Sequence, residues 1–281
     1  MENVKLNNGV EMPMVGYGAY GVAAKDTKQC VLDALEVGYR MIDTAQHYGN
    51  EAEVGEAVKE SGVARGDLFL GSKIWFTMYE RVEDAVKKSL DNFQTDYLDL
   101  MLIEHPIGNY YKAWEALQKL YEDKKVRAIG VSGFKADRVM DLGDHTGTKP
   151  MVDQLETHPF LQQVNAKAWM DKCSCQLMAW GPFGQGHEGL FDYDILKKVA
   201  DKYGKSLNQI ILRWNIQRGI VVVPKTVQKS RMEANIDVFD FDLEKGDLIH
   251  ISEMDEGRSL FLDGDEPDTY QWLLAQPPVV Q

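Results

Sequence analysis

The chain has 281 residues, of which 44% are hydrophobic and 27% charged, with a formal net charge of −13. This composition is ordinary for a globular protein, and the length suits one large domain or two small ones. The acidic balance argues against nucleic acid and anionic membrane surfaces as partners. No run of 18 or more apolar residues occurs, so we predict no transmembrane helix.

The N-terminus and the cysteines indicate the compartment. The first nine residues lack the basic and apolar regions of a signal peptide, so we expect a cytoplasmic protein. Three cysteines, Cys30, Cys173 and Cys175, form an odd set without framework spacing. We expect them to be reduced thiols. No matching C-x-x-C or H-x-x-x-H accompanies them, so we predict no metal site.

The first elements in chain order are a hairpin and a glycine-rich loop. "VKLNNGVEM", with its Asn-Gly pair, predicts a small hairpin within the first twelve residues. "GYGAYG" (16–21) then has the form G-x-G-x-x-G, which is typical of a dinucleotide-binding Rossmann domain when a strand precedes it and a helix opens directly after it. Here Pro13 weakens the preceding strand, and the best helix N-cap, Asp26, comes too late. The spacing therefore argues against a Rossmann domain.

The rest of the chain alternates short apolar runs with amphipathic helical patterns. Strand alternating with helix indicates parallel βαβ units, and eight such units fit a closed (β/α)8 TIM barrel. We predict an α/β fold with one domain over residues 1–281, the hairpin as a plug under the barrel floor, and an irregular surface loop at 263–281. The eight runs are 14–17, 40–43, 68–73, 97–103, 127–132, 151–156, 175–180 and 219–224, and the helical patterns are 27–38, 51–60, 81–93, 111–123, 137–144, 164–173 and 192–204.

Polar residues cluster where the predicted strands end, which is where TIM barrels carry their chemistry. Asp43 ends the second run, Tyr48 follows in its loop, and Lys73 ends the third. A lysine ammonium beside a tyrosine lowers the phenol pKa, and a carboxylate holds that lysine in place. Each residue alone is more often structural. Together, at neighbouring strand ends, they indicate a tuned proton donor.

Long stretches of the chain resemble the aldo-keto reductase superfamily, especially its small bacterial members. They are "YRMIDTAQHYGNEAEVGEAV", "SKIW", "YLDLMLIEHP", "AIGVSGF" and "VVVPKTVQKSRMEAN". The resemblance covers nearly the whole chain and implies a (β/α)8 barrel that binds NADP(H) without a Rossmann domain. "GYGAYG" then resembles the first strand and loop of that family.

The resemblance also implies a role for each matching residue. Tyr48 matches the general acid, Lys73 its pKa-lowering partner, and Asp43 the group that holds the lysine. Lys225 and Arg231 add cations that suit a 2′-phosphate, so NADPH is the expected cofactor. The cofactor-binding positions are Ser132, Gln154, Trp180, Lys225, Thr226, Arg231 and Asn235, and the substrate-binding positions are Tyr20, Trp75 and His105.

Three positions depart from the family pattern. Glu104 stands where the catalytic histidine is expected, and His105 stands at a pocket position. Gly133 replaces a common asparagine and removes one amide contact to the nicotinamide. Ala234 replaces a common acidic residue that grips the cofactor. We count Glu104 among the catalytic candidates, because this exchange could change the reaction.

These residues leave three functions open. The first is an NADPH-dependent reductase of aldehydes or ketones, with Tyr48 as the proton donor. The second is a reductase of carbon–carbon double bonds in enones, since the steroid double-bond reductases of the superfamily carry Glu for His. The third is a cofactor-binding sensor subunit with little turnover. We expect a small carbonyl or enone substrate and a monomeric chain, although the sequence names neither the substrate nor the oligomeric state.

Overall fold

The N-terminal hairpin closes the floor of the fold. The structure is a computed structural model that describes residues 2–186, 189–261, 266–277 and 279. Strands β1 (Asn3–Lys5) and β2 (Glu11–Pro13) pair antiparallel, and Gly9 adopts the left-handed conformation (φ 87°) that the turn requires. Asn8 donates to the carbonyl of Arg127 at 2.9 Å, near the start of a barrel strand. The predicted plug is therefore confirmed.

Eight parallel strands follow, in a sheet whose order from β3 to β10 is the order of the chain. The amide of Gly16 donates to the carbonyl of Val222 at 2.9 Å, and the amide of Val222 donates to the carbonyl of Met14 at 3.0 Å. These bonds join the residues just before β3 to β10, so the predicted (β/α)8 barrel is confirmed. The strands are β3 (Tyr17–Gly18), β4 (Met41–Asp43), β5 (Phe69–Trp75), β6 (Leu98–Glu104), β7 (Val126–Ser132), β8 (Val152–Glu156), β9 (Gln176–Trp180) and β10 (Val221–Val222).

One glycine permits this closure. A Cβ added at Gly18 would lie 2.7 Å from the carbonyl oxygen of Val223, which is closer than real Cβ atoms approach. The amide of Gly18 also donates to the carbonyl of Pro224 at 3.1 Å. Gly18 therefore lets the first barrel strand contact the chain that leaves the last one.

Helices surround the sheet, and all seven predicted segments are helical. They are α1 (Ala24–Val37), α2 (Glu51–Glu60), α3 (Val82–Phe93), α4 (Tyr110–Glu122), α5 (Ala136–Thr146), α6 (Val164–Cys173) and α7 (Asp194–Tyr203). Four more helices were not among the predicted segments: α8 (Leu207–Gln217), α9 (Lys229–Ile236), α10 (Lys245–Ser252) and α11 (Pro267–Leu274). No helix in the described part of the chain is long and apolar enough to cross a membrane.

Two expectations about helix positions are wrong. Asp26 is not the N-cap of α1, because the helix already begins at Ala24 and Asp26 lies in its first turn. A carboxylate there is favoured by the helix dipole. The predicted loop at 263–281 contains helix α11, which begins at Pro267, where the fixed φ of proline suits a first turn. Thr269 and Leu273 are its buried residues.

Candidate active site

A buried ion pair lies at the carboxyl ends of β4 and β5. The Lys73 Nζ donates to Asp43 Oδ2 at 2.8 Å and to the carbonyl of Thr44 at 2.8 Å. Lys73 is fully buried and Asp43 is 5% exposed. Gln154 on β8 donates to the same Asp43 oxygen at 3.2 Å, while Asp43 Oδ1 has no hydrogen-bond partner among the described residues. The expected contact between Asp43 and Lys73 is present.

Tyr48 lies beside this pair, in the 3-10 turn after β4. The Lys73 Nζ is 4.9 Å from the centroid of the Tyr48 ring. Tyr20 packs edge-on against Tyr48 with centroids 5.0 Å apart. Burial raises the pKa of Tyr48 well above its ordinary value, and the carboxyls of Glu104 and Asp43 add to the rise. Lys73 lies over the Tyr48 ring, and its expected effect on this pKa stays a prediction.

Glu104 ends β6 and is close enough to Lys73, Asp43 and Tyr48 for their charges to interact. Its side chain is 7% exposed, and its Oε2 has no hydrogen-bond partner within the described residues. Burial raises the pKa of Glu104 to about 7, with Lys73 opposing the rise and Asp43 adding to it. Near neutral pH this carboxyl is therefore present in both protonated and ionised forms.

His105 follows β6 in an unusual backbone conformation, with its amide donating to the carbonyl of Ser132 at 2.9 Å. Its φ is 74°, and the Tyr79 hydroxyl lies 2.7 Å from both the Glu104 and the His105 carbonyl oxygens, to which it donates. A Cβ added at Gly133 would lie 3.3 Å from His105 Nδ1. An asparagine at position 133 would thus crowd this ring, which explains structurally why the chain has glycine there.

Two imidazoles flank Trp75. His47 stacks on the indole with centroids 4.0 Å apart, and His105 packs edge-on at 5.3 Å. Burial lowers the pKa of His105 to about 4, with a further contribution from His47, and burial also lowers the pKa of His47. Both rings are therefore neutral at pH 7. Trp75 and His105, two of the expected substrate positions, are in contact.

The residues expected to hold the nicotinamide end lie on three adjacent strands. Ser132 ends β7 and donates to the carbonyl of Gln154 on β8 at 3.2 Å. Ser132 and Gln154 are register partners, as are Glu156 and Trp180. Ser132 and Gln154 are buried, whereas Trp180 is partly exposed. These positions share the same edge of the barrel as Glu104, which pairs with Ser132.

The residues expected at the adenosine end follow β10. Thr226 is buried, and its carbonyl accepts a hydrogen bond from Tyr17 at 2.9 Å. Lys225 and Arg231 are exposed and make no ion pair in the part of the chain described. Asn235 is 1% exposed, and its Oδ1 has no hydrogen-bond partner among the described residues. Among the described residues, the chain after β10 and the helix α9 that follows it therefore offer two unpaired cations, Lys225 and Arg231, and one buried acceptor, Asn235.

Sequence reasoning missed the residues that hold the Tyr48 loop. Thr44 donates to Asn50 Oδ1 at 2.5 Å, and Asn50 donates to the carbonyl of Ala19 at 3.1 Å. Glu51 accepts from Ser72, the neighbour of Lys73, at 2.5 Å. The signal was a loop, "TAQHYGNE", unusually rich in polar side chains for its length. These bonds hold the loop against β5 and the chain after β3.

Comparison with known proteins now identifies the family. The model of the "Aldo/keto reductase family" matches residues 14–256. The chain belongs to this family. It is 39% identical over 270 residues to the methylglyoxal reductase DkgA of Escherichia coli (strain K12), with 95% of this chain and 97% of that protein covered. It is 43% identical over 271 residues to the glyoxal reductase of Bacillus subtilis (strain 168), with 95% and 96% covered.

Solved aldo/keto reductases share the fold. The enzyme from Brucella melitensis superposes with a TM-score of 0.87 at 39% identity, over 90% of this chain and 99% of that one. The Bombyx mori aldo-keto reductase AKR2E4, solved in complex with NADP, superposes with a TM-score of 0.90 at 30% identity, over 96% of each chain. The barrel and its family are thus established together, and the chain is an oxidoreductase of the aldo/keto reductase type.

Proposed function

We propose that this protein is an NADPH-dependent reductase that converts aldehydes or ketones to alcohols, with Tyr48 as the proton donor. One observation carries the proposal. The buried pair of Lys73 and Asp43 lies directly against the Tyr48 ring at the mouth of the barrel. A buried cation next to a phenol is the arrangement expected of a site that transfers a proton to a developing oxyanion.

The residues present fit NADPH. Asn235 Oδ1, Asp43 Oδ1 and Glu104 Oε2 are buried polar atoms without partners in the described residues, which is unusual unless a ligand completes them. Ser132, Gln154 and Trp180 would hold the nicotinamide end, and Thr226, Asn235 and the two cations the adenosine end. When bound, NADPH supplies the hydride. Lys225 and Arg231 would pair with the 2′-phosphate that NADH lacks.

Tyr48 would deliver the proton to the carbonyl oxygen. Because its pKa is raised, the phenol stays protonated until negative charge develops on a neighbouring oxygen. The Lys73 ammonium then stabilises the phenolate that remains. Asp43 and the carbonyl of Thr44 keep Lys73 in place. All of these groups come from one chain, so a monomer suffices.

The substrate is proposed to be a small carbonyl compound. Relatives with similar length are named for reducing methylglyoxal and glyoxal. The neutral imidazoles of His47 and His105 on either side of Trp75 line the pocket with aromatic rings and ring nitrogens. Such walls accommodate apolar or ring-bearing carbonyls as well as small ones.

Glu104 supports a second candidate, reduction of the double bond of an enone. In its neutral form Glu104 would donate a hydrogen bond to the same carbonyl oxygen as Tyr48. Two donors on one oxygen favour an enolate, and thus hydride delivery to the β-carbon. The raised pKa and the unpartnered Oε2 of Glu104 favour this candidate.

A paired substrate screen tests both candidates. The purified protein is given NADPH with methylglyoxal or with a cyclohexenone, and the products are identified. The main proposal expects alcohols, and saturated ketone would favour the second candidate. The variant Glu104→His should then lose enone reduction and gain carbonyl reduction. If neither substrate supports NADPH oxidation, the protein is not a reductase of these compounds.

A further inference from the structure

One buried carboxylate fastens the segment 255–261 to the mouth of the barrel. Glu156 ends β8 and is 5% exposed. The Ser259 hydroxyl donates to its Oε2 at 2.6 Å, and the amide of Leu260 donates to its Oε1 at 2.8 Å. Hydrogen bonds to a carboxylate are stronger than those between neutral groups. Glu156 thus joins two parts of the chain that are more than 100 residues apart.

His158 completes the set of donors around Glu156. The amide of Leu161 donates to the carbonyl of His158 at 2.9 Å and lies 3.2 Å from His158 Nδ1. His158 Nε2 lies 2.8 Å from Glu156 Oε1, and because a carboxylate only accepts hydrogen bonds, this nitrogen is the donor. His158 is fully buried. The carboxylate receives three donors, two from the segment and one from the barrel, which we call the Glu156 clasp.

The clasp determines where Phe261 lies. The amide of Phe261 donates to Ser259 Oγ at 3.0 Å, so the hydroxyl that binds Glu156 also orients the next residues. The Phe261 ring lies 5.2 Å from that of Trp180, centroid to centroid. A Cβ added at Gly181 would be 3.4 Å from the Phe261 ring. Phe261 therefore packs against the strand end where Trp180 projects.

We propose that Glu156 is a positioning residue that, through Ser259 and Phe261, fixes the orientation of Trp180 for stacking on the nicotinamide. The stacking itself rests on the proposed function. Glu156 and Trp180 are register partners on β8 and β9, so the carboxylate and the indole start from adjacent backbone positions. Ordering the indole before the cofactor binds would lower the entropic cost of binding.

Ser259→Ala tests the clasp with little disturbance of the barrel, because Glu156 and His158 remain paired. Ser259→Thr keeps the hydroxyl and should behave as wild type. The matched control is Ser61→Ala, since Ser61 also accepts from the amide two residues on and donates at 2.7 Å to a carbonyl, far from this site. Glu156→Ala removes the whole clasp. If Glu156→Ala does not fold, the result for Ser259→Ala is the test.

The variants are compared by two measurements. Trypsin cleavage after Arg258, followed by mass spectrometry on the protein without nucleotide, reports opening of the segment. Tryptophan fluorescence titrated with NADP+ reports binding. We expect Ser259→Ala to be cleaved about tenfold faster and to bind NADP+ roughly three- to tenfold more weakly, with Ser259→Thr and Ser61→Ala unchanged.

The inference is overturned if Ser259→Ala matches wild type in either cleavage or NADP+ affinity. Wild-type protein that fails to bind NADP+ overturns it as well, and refutes the proposed function by that titration alone. The ratios of cleavage rate and of NADP+ affinity between variant and wild type therefore test the clasp. The NADP+ titration of the wild type tests the proposed function.

Discussion

Strand β6 carries a buried carboxyl near each end, and the two differ in their hydrogen-bond partners. At the floor, both oxygens of Asp99 are satisfied: Oδ2 accepts from the amide of Leu70 at 2.9 Å and from Arg65 at 2.8 Å, and Oδ1 accepts from Arg127 at 2.6 Å. At the mouth, Glu104 Oε2 has no partner within the described residues. The floor is arranged for stability, whereas the mouth leaves polar atoms for a ligand.

The largest effect is expected at the mouth, from Tyr48→Phe. Removing the hydroxyl should lower turnover by about 10²- to 10⁴-fold, the usual contribution of a positioned acid. NADP+ affinity, measured by fluorescence titration, should hardly change, because the proposed role of the hydroxyl is toward the substrate. Turnover close to wild type would show that another group donates the proton.

The floor and the mouth should respond to amide substitution with opposite signs. Asp99→Asn should lower the free energy of unfolding by about 2–3 kcal/mol, because two arginines lose a charged partner. Glu104→Gln should not destabilise the protein at pH 7 and should raise its stability, because it removes a carboxyl whose ionised form is disfavoured by burial. Denaturant unfolding of both variants measures this. Equal losses would contradict the contrast between the two ends.

Glu104 also predicts a pH dependence. Its folded pKa, about 7, lies above the ordinary 4.5, so the protonated form is lost as the pH rises through 7. If neutral Glu104 assists catalysis, kcat/KM should fall about tenfold between pH 6 and pH 8. The same shift makes the wild type less stable with rising pH between 4.5 and 7. Glu104→Gln should flatten both profiles, and an unchanged rate profile would assign the titration elsewhere.

At the far end of the proposed cofactor site, Arg231→Ala should separate the two nicotinamide cofactors. Arg231 is exposed, so its pairing with a phosphate is screened by solvent. We expect NADPH affinity to fall roughly five- to tenfold and NADH affinity to change little. Titration of both cofactors at one ionic strength measures this. An equal loss for both would refute the assignment of Arg231 to the 2′-phosphate.

The sequence predicted the barrel well because each of its signals is local. Eight apolar runs and seven helical patterns fall on observed strands and helices. It also predicted that Asp43 and Lys73 would meet, because both lie toward the carboxyl ends of neighbouring parallel strands, although β5 continues past Lys73 to Trp75. The segment from 263 onward was misjudged, because its prolines suggested a loop while the burial of Thr269 and Leu273 depends on distant parts of the chain.

What the sequence could not predict depends on side-chain direction. The sequence could not show that the Lys73 ammonium lies over the face of the Tyr48 ring, 4.9 Å from its centroid. Glu156 was not among the predicted site residues. Its partners, Ser259 and Leu260, are 103 and 104 residues away, so no local pattern could connect them.

Substitution of Asp153 has the smallest predicted effect. It tests the contrast between buried carboxyls that have partners, such as Asp99, and those that have none among the described residues. Asp153 is fully buried on β8, and neither carboxyl oxygen has a hydrogen-bond partner in the described residues. Burial raises its pKa well above the ordinary value, and the backbone of Phe134 opposes the rise. Adjacent residues of a strand face opposite sides, and Gln154 faces Asp43, so Asp153 faces the helices and not the site.

The sign of the effect follows from linkage. A carboxyl with a raised folded pKa takes up a proton on folding, and the resulting loss of stability grows as the pH rises above the unfolded pKa. Asp153→Asn should therefore match wild type near pH 4 and melt about 2–4 °C higher at pH 7. NADP+ affinity should stay unchanged. A lower melting temperature at pH 7 would mean that the Asp153 carboxylate is stabilised by partners in the folded protein, and would contradict this prediction.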